Sequence, residues 1–208
     1  MAQKPSRNTF AESYYLFRWL WTLEYRRGQT LPGTLLFIAL IGLLVGLLKR
    51  RDFMPASALP ALFWLSYLFT LFQAIPKSFL DISPESWRWL RLIVSSGGAV
   101  GGLLGYILAW AGSLWGIWYG LSAVLWDYVP PAASLLTAGS LGIVVGIGAF
   151  LTAMARLSYA TASILAMPLT LLPLLLALFR SEALIENLLY LAIALALTWS
   201  VLPLLWET

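Results

Sequence analysis

Hydrophobic residues run through this chain in six long stretches without an Asp, Glu, Lys or Arg: 29–48, 53–76, 92–126, 128–155, 157–179 and 187–206. A hydrocarbon core about 30 Å thick is crossed by roughly 20 apolar residues in a helix, which satisfies its backbone polar groups internally. The pattern predicts an all-α polytopic membrane protein with six transmembrane helices in one domain over residues 1–208. The spans fall near 31–48, 55–76, 97–124, 132–154, 159–179 and 187–206.

The polar breaks between stretches predict two further helices. Thr9-Phe10-Ala11-Glu12 fits a capping box, in which a Thr hydroxyl and a Glu carboxylate satisfy backbone donors at a helix start. Phe10, Tyr14, Phe17 and Trp21 then recur at helical spacing beside Arg18, Arg26 and Arg27. That combination predicts an amphipathic interfacial helix over 9–27, ended by Gly28. It serves either as an anchor or as an elbow that receives motion from a partner. Between the second and third stretches, Ser83-Pro84-Glu85 reads as N-cap, first helical position and acidic first turn. A short helix is expected there, with Trp87 and Trp89 near the headgroups and Arg88 and Arg91 reaching phosphates or a partner.

The third stretch is longer than a bilayer crossing needs, so part of it should tilt, bend or lie in the interface. Its glycines, Gly101 and Gly105 among them, and Gly142 and Gly146 in the fourth stretch form small-residue faces suited to close helix packing. A hinge is the competing reading. Trp110, Trp115, Trp118, Tyr119 and Trp126 read best as an aromatic belt at the headgroups, with a stacking surface for a flat ligand as the alternative. Pro168 and Pro173 predict a kink in the fifth span, either for packing or as a bend between working states.

Composition narrows the chemistry. The chain has no Cys and no His, which removes disulfides, thiolate chemistry, imidazole catalysis and the commonest metal and haem ligands. No nucleotide-binding G-x-x-x-x-G-K-[ST] pattern occurs, and no ionisable side chain interrupts the stretches, so neither an ATPase nor an intramembrane acid/base site is expected. The reading is not an enzyme: catalytic, metal and cofactor-binding residues are none, and energy comes from a partner. No removable signal peptide is visible, and the first span is expected to act as the insertion signal. The net charge of +4 reflects basic residues flanking the spans, so it argues topology rather than nucleic acid. Lys4, Arg7, Arg18, Arg26, Arg27, Lys77, Arg88, Arg91 and Arg156 fall on one side of a six-span scheme, against Lys49, Arg50, Arg51 and Arg180 on the other. The positive-inside rule then puts both termini in the cytoplasm.

Phe63-Trp64, Phe69-Thr70, Ala74-Ile75-Pro76-Lys77-Ser78-Phe79, Gly139-Ser140-Leu141-Gly142, Met167-Pro168-Leu169-Thr170 through Leu175, and Leu202-Pro203-Leu204-Leu205-Trp206 stand in an order that resembles the CcmB family, over nearly the whole chain. These are membrane subunits of the bacterial cytochrome c maturation system. The resemblance implies an ABC-2-like permease of the inner membrane, paired in two copies with a CcmA-like ATPase. It further implies work beside CcmC-like and CcmD-like proteins to release a haem-loaded CcmE-like chaperone. ATP would be bound by the ATPase, and haem would be handled by the complex. Lys77, Phe79, Asp81, Glu85, Arg88 and Arg91 would form the ATPase-coupling region. Met54, Met154, Met167 or a Tyr would ligate haem weakly at best, which favours a mechanical role. The alternatives are a permease exporting a lipid, polysaccharide or drug, and a non-transporting membrane scaffold.

Overall fold

The structure is a computed structural model that describes residues 8–28, 30–155 and 184–207. Pro168, Pro173, Arg156, Arg180 and the fifth predicted span lie outside the described residues. Within them every regular element is helical: α1 (Thr9–Arg27), α2 (Thr30–Arg50), a 3₁₀ turn (Ala56–Ala58), α3 (Leu59–Leu80), α4 (Pro84–Ile93), α5 (Ser96–Leu125), α6 (Ser134–Met154) and α7 (Leu184–Glu207). Four of the described helical segments are long and apolar enough to cross a membrane: Leu31–Arg50, Ala56–Leu80, Ser96–Leu125 and Ser134–Met154. In α7 the apolar part is shorter, Asn187–Pro203.

Helix α1 begins where the sequence pattern places it, but the capping differs. Asn8 is the N-cap, its Oδ1 accepting from Phe10 N at 3.2 Å and Ala11 N at 3.4 Å. The Glu12 carboxylate reaches another helix instead, accepting the Ser95 backbone N–H at 2.8 Å and the Ser95 hydroxyl. Gly28 closes α1 in the left-handed conformation at φ 60°, which glycine adopts at little cost, and its N–H returns to the Glu24 carbonyl.

Helix α1 runs alongside the first half of α5 and in the same direction, since Thr9 meets Gly97, Leu16 meets Gly102 and Phe17 meets Gly105. A Cβ on Gly102 would stand 2.8 Å from both the Leu16 Cβ and the Ser13 carbonyl oxygen, and one on Gly101 would collide with the Ser13 side chain. The first glycine face therefore receives α1 rather than another span. The buried stripe of α1 also departs from the predicted one. Leu16, Leu20 and Glu24 point inward, whereas Phe10, Tyr14 and Trp21 are exposed.

The second glycine face joins α5 to α6. A Cβ on Gly142 would lie 2.5 Å from the Ala111 Cβ, and one on Gly146 would overlap Ile107. The buried Tyr67 hydroxyl, on α3, lies within hydrogen-bond reach of the Ala111 carbonyl (3.1 Å) and the Ala138 carbonyl (3.0 Å), so one side chain ties α3, α5 and α6.

The expected aromatic belt is instead largely internal. Trp118 and Trp126 have no exposure, and Trp110 is buried. Trp118 Nε1 donates to Thr70 Oγ1 at 3.0 Å, Trp126 Nε1 to the Gly42 carbonyl at 2.9 Å and Trp115 Nε1 to Ser134 Oγ at 3.0 Å. Indole N–H groups that a headgroup would satisfy are here bonded between helices. The outward surface is aliphatic, as a lipid-facing surface requires: Leu36, Leu40, Leu43, Leu44 and Leu47 of α2 are all exposed.

Contacts between helix ends define two ends of the bundle. At one, Lys49 donates to the Trp126 carbonyl and lies 3.5 Å from Asp127, joining the last turn of α2 to the turn after α5. At the other sit the end of α3, all of α4, the start of α5 and the end of α6. Helices α6 and α7 run in the same direction, because Thr137 Oγ1 donates to Asn187 Oδ1 at 2.7 Å near their starts while Phe150 stacks on Trp206 near their ends.

Candidate functional site

The most elaborated region is the α4 end. Ser83 caps α4 by accepting from Ser86 N at 3.3 Å, Pro84 opens it and Glu85 occupies the acidic first turn. The helix is ten residues long and ends at Val94, whose extended backbone turns the chain into Ser95, the N-cap of α5.

Trp87 drives α4 into the bundle. Its ring stacks on Phe79 of α3 (centroids 6.4 Å apart) and meets Phe150 of α6 (5.5 Å) and Trp206 of α7 (6.2 Å) edge-on. Phe79 in turn meets Tyr106 of α5 at 5.9 Å. Five helices thus converge on one aromatic cluster, and each well-placed ring pair contributes about 0.5–1.5 kcal/mol beyond simple burial. Trp206 Nε1 donates to the Val94 carbonyl at 3.0 Å, so α7 holds the α4–α5 corner directly. Glu12 of α1 holds the next residue, Ser95. A displacement of α4 must therefore move its packing partners or break these bonds.

The predicted coupling residues separate into two groups. Asp81, Glu85 and Arg88 are exposed, Lys77 is half-buried near the end of α3, and Arg91 is half-buried. Phe79 has no exposure and is excluded from direct contact with a partner, since its ring is enclosed by Trp87, Tyr106 and Phe150. Trp87 is likewise an internal ring and not a headgroup contact, whereas Trp89 is half exposed. Arg91 Nη2 donates to the Met154 sulfur at 3.0 Å. A pocket of about 280 Å³ opens here, lined by Pro84, Trp87, Arg88, Arg91 and Met154, among others.

One buried carboxylate went unread in the sequence. Glu24 is buried where α1 meets α3, and its Oε2 accepts from the Ser78 hydroxyl at 2.9 Å. Glu12, Leu16, Leu20 and Glu24 follow one another at four-residue spacing, so the inward stripe of α1 was present in the sequence. The more conspicuous aromatic periodicity masked it.

No family model matches the chain, and no curated protein or solved structure is similar to it.

Proposed function

We propose that this chain is the membrane subunit of an ABC-type transporter driven by a separate cytoplasmic ATPase. The observation that carries the reading is the build of α4 and the turn before it: exposed Asp81, Glu85 and Arg88 outside, and Trp87 inside an aromatic cluster drawn from five helices. A push on the polar face is transmitted to α3, α6 and α7 through rings that are packed too closely to yield separately.

Six spans with both termini cytoplasmic agree with this arrangement. Helices α6 and α7 run in the same direction, Thr137 meeting Asn187 near their starts and Phe150 meeting Trp206 near their ends. Thr9 and Trp206 both lie at the α4 end, which the distribution of Lys and Arg assigns to the cytoplasm. The inner-membrane setting, the cytochrome c maturation partners and haem as the handled substrate rest on the resemblance to the CcmB family. In this reading haem is handled by the complex, and the chain contributes movement.

The test is to purify the full chain with its cellular partners and measure ATP hydrolysis by the complex. An ATPase recovered together with cytochrome maturation proteins supports the reading. The double variant E85K/R88E should then lower stimulated hydrolysis about tenfold, as loss of more than one charge-assisted contact implies. An ATPase recovered with lipid or glycan enzymes points to an exporting permease, and recovery of no ATPase refutes both.

A further inference from the structure

The pocket beneath α4 is chemically one-sided. Arg88 and Arg91 line it, and no carboxylate does so among the described residues. Among the described residues, Arg91 Nη2 has a thioether as acceptor, which is a weak one, and Arg91 Nε is buried with no hydrogen-bond partner. Trp87, which also lines the pocket and is only 4% exposed, has its Nε1 buried and unpartnered in the same way. Two guanidinium groups lining a cavity of about 280 Å³, with no carboxylate beside them among the described residues, suit an anion with several acceptor oxygens.

The surface beside the pocket says which anion. Leu92 follows Arg88 by one helical turn and is 76% exposed, and Trp89 is 50% exposed on the same outer side. Apolar side chains at this position would cost free energy in water but fit between acyl chains, while the arginines reach the headgroup level. We infer that this pocket is a binding site for an acidic phospholipid, with the headgroup phosphate between Arg88 and Arg91 and an acyl chain along Leu92. The bound lipid gives Arg91 an oxygen acceptor in place of the thioether and fixes the height of α4 at the membrane surface. This assignment shares Arg88 with the ATPase reading but turns on Arg91 and the pocket, so R91Q and A153F test it separately from E85K/R88E.

Native mass spectrometry of the full-length chain, delipidated in detergent and titrated with phosphatidylglycerol or phosphatidylcholine, tests it. The native chain should retain one phosphatidylglycerol in preference to phosphatidylcholine. R91Q should lower its affinity about tenfold, R91K less, and R50Q at the opposite end not at all. A153F, which fills the pocket and keeps both arginines, should lose the lipid equally, so a folding defect in R91Q does not shield the assignment. Unchanged phosphatidylglycerol binding by R91Q and A153F overturns it, as does equal retention of the two lipids. Displacement by millimolar inorganic phosphate also overturns it, in favour of a soluble phosphate ligand. Loss of ATPase association without loss of lipid would assign the pocket to protein docking instead.

Discussion

Trp87 and Trp89 stand two residues apart on α4 and meet opposite surroundings: 4% exposed within the aromatic cluster, and 50% exposed outside it. Their composition and neighbourhood in the sequence are nearly the same, so only the packing of α3, α6 and α7 separates them. Truncating Trp87 removes a ring on which three other helices rest, and W87A is expected to cost about 3–5 kcal/mol. W89A should stay within about 0.5 kcal/mol. Reversible chemical denaturation in detergent micelles measures both, and similar losses for the two would contradict the placement of α4. Local chemistry at this scale was legible in advance where a side chain acts on its own backbone: the Ser83 cap and Gly28 stop are of that kind. Phe79 was not legible, because two of the rings that enclose it, Tyr106 and Phe150, come from residues far along the chain.

At the scale of elements, the pattern of the first glycine face gives close approach to a helix but no partner. Close approach follows from the absence of a Cβ, whatever helix supplies the neighbour, so the pattern announces contact without naming its source. Here the source is α1, held along α5 by Leu16, by Ser13 against Gly101 and by Glu12 on Ser95. The absence of native cysteines makes the pairing directly testable. A Cβ on Gly101 would lie 3.1 Å from Ser13 Cβ, close to the separation a disulfide needs, so S13C/G101C should cross-link on mild oxidation with only a small shift. The pair S13C/G116C should not, since nothing packs on Gly116 within 4 Å. No cross-link in the first pair would detach α1 from α5 and with it the Glu12 bonds that help hold the α4–α5 corner.

For the molecule as a whole, hydrophobic length was the most legible property, because a bilayer imposes it on every span alike. Four described segments meet that length, and the shared direction of α6 and α7 is an orientation that hydropathy alone leaves open. Less legible was the division between lipid-facing and internal aromatics: Trp118 and Trp126 have the sequence context of a belt but bond to α3 and α2 inside the bundle. The proposed working picture is a pinned bundle with α4 as a polar lever at the end proposed to face the cytoplasm. The most direct test places a photo-crosslinking amino acid at Glu85, on the exposed face of α4, and separately at Val129, exposed at the opposite end, in the full-length protein in living cells. Position 85 should capture a protein bearing a nucleotide-binding motif, and position 129 should not. Capture of that protein from position 129 alone, or no such adduct from position 85, would contradict an ATPase acting through α4.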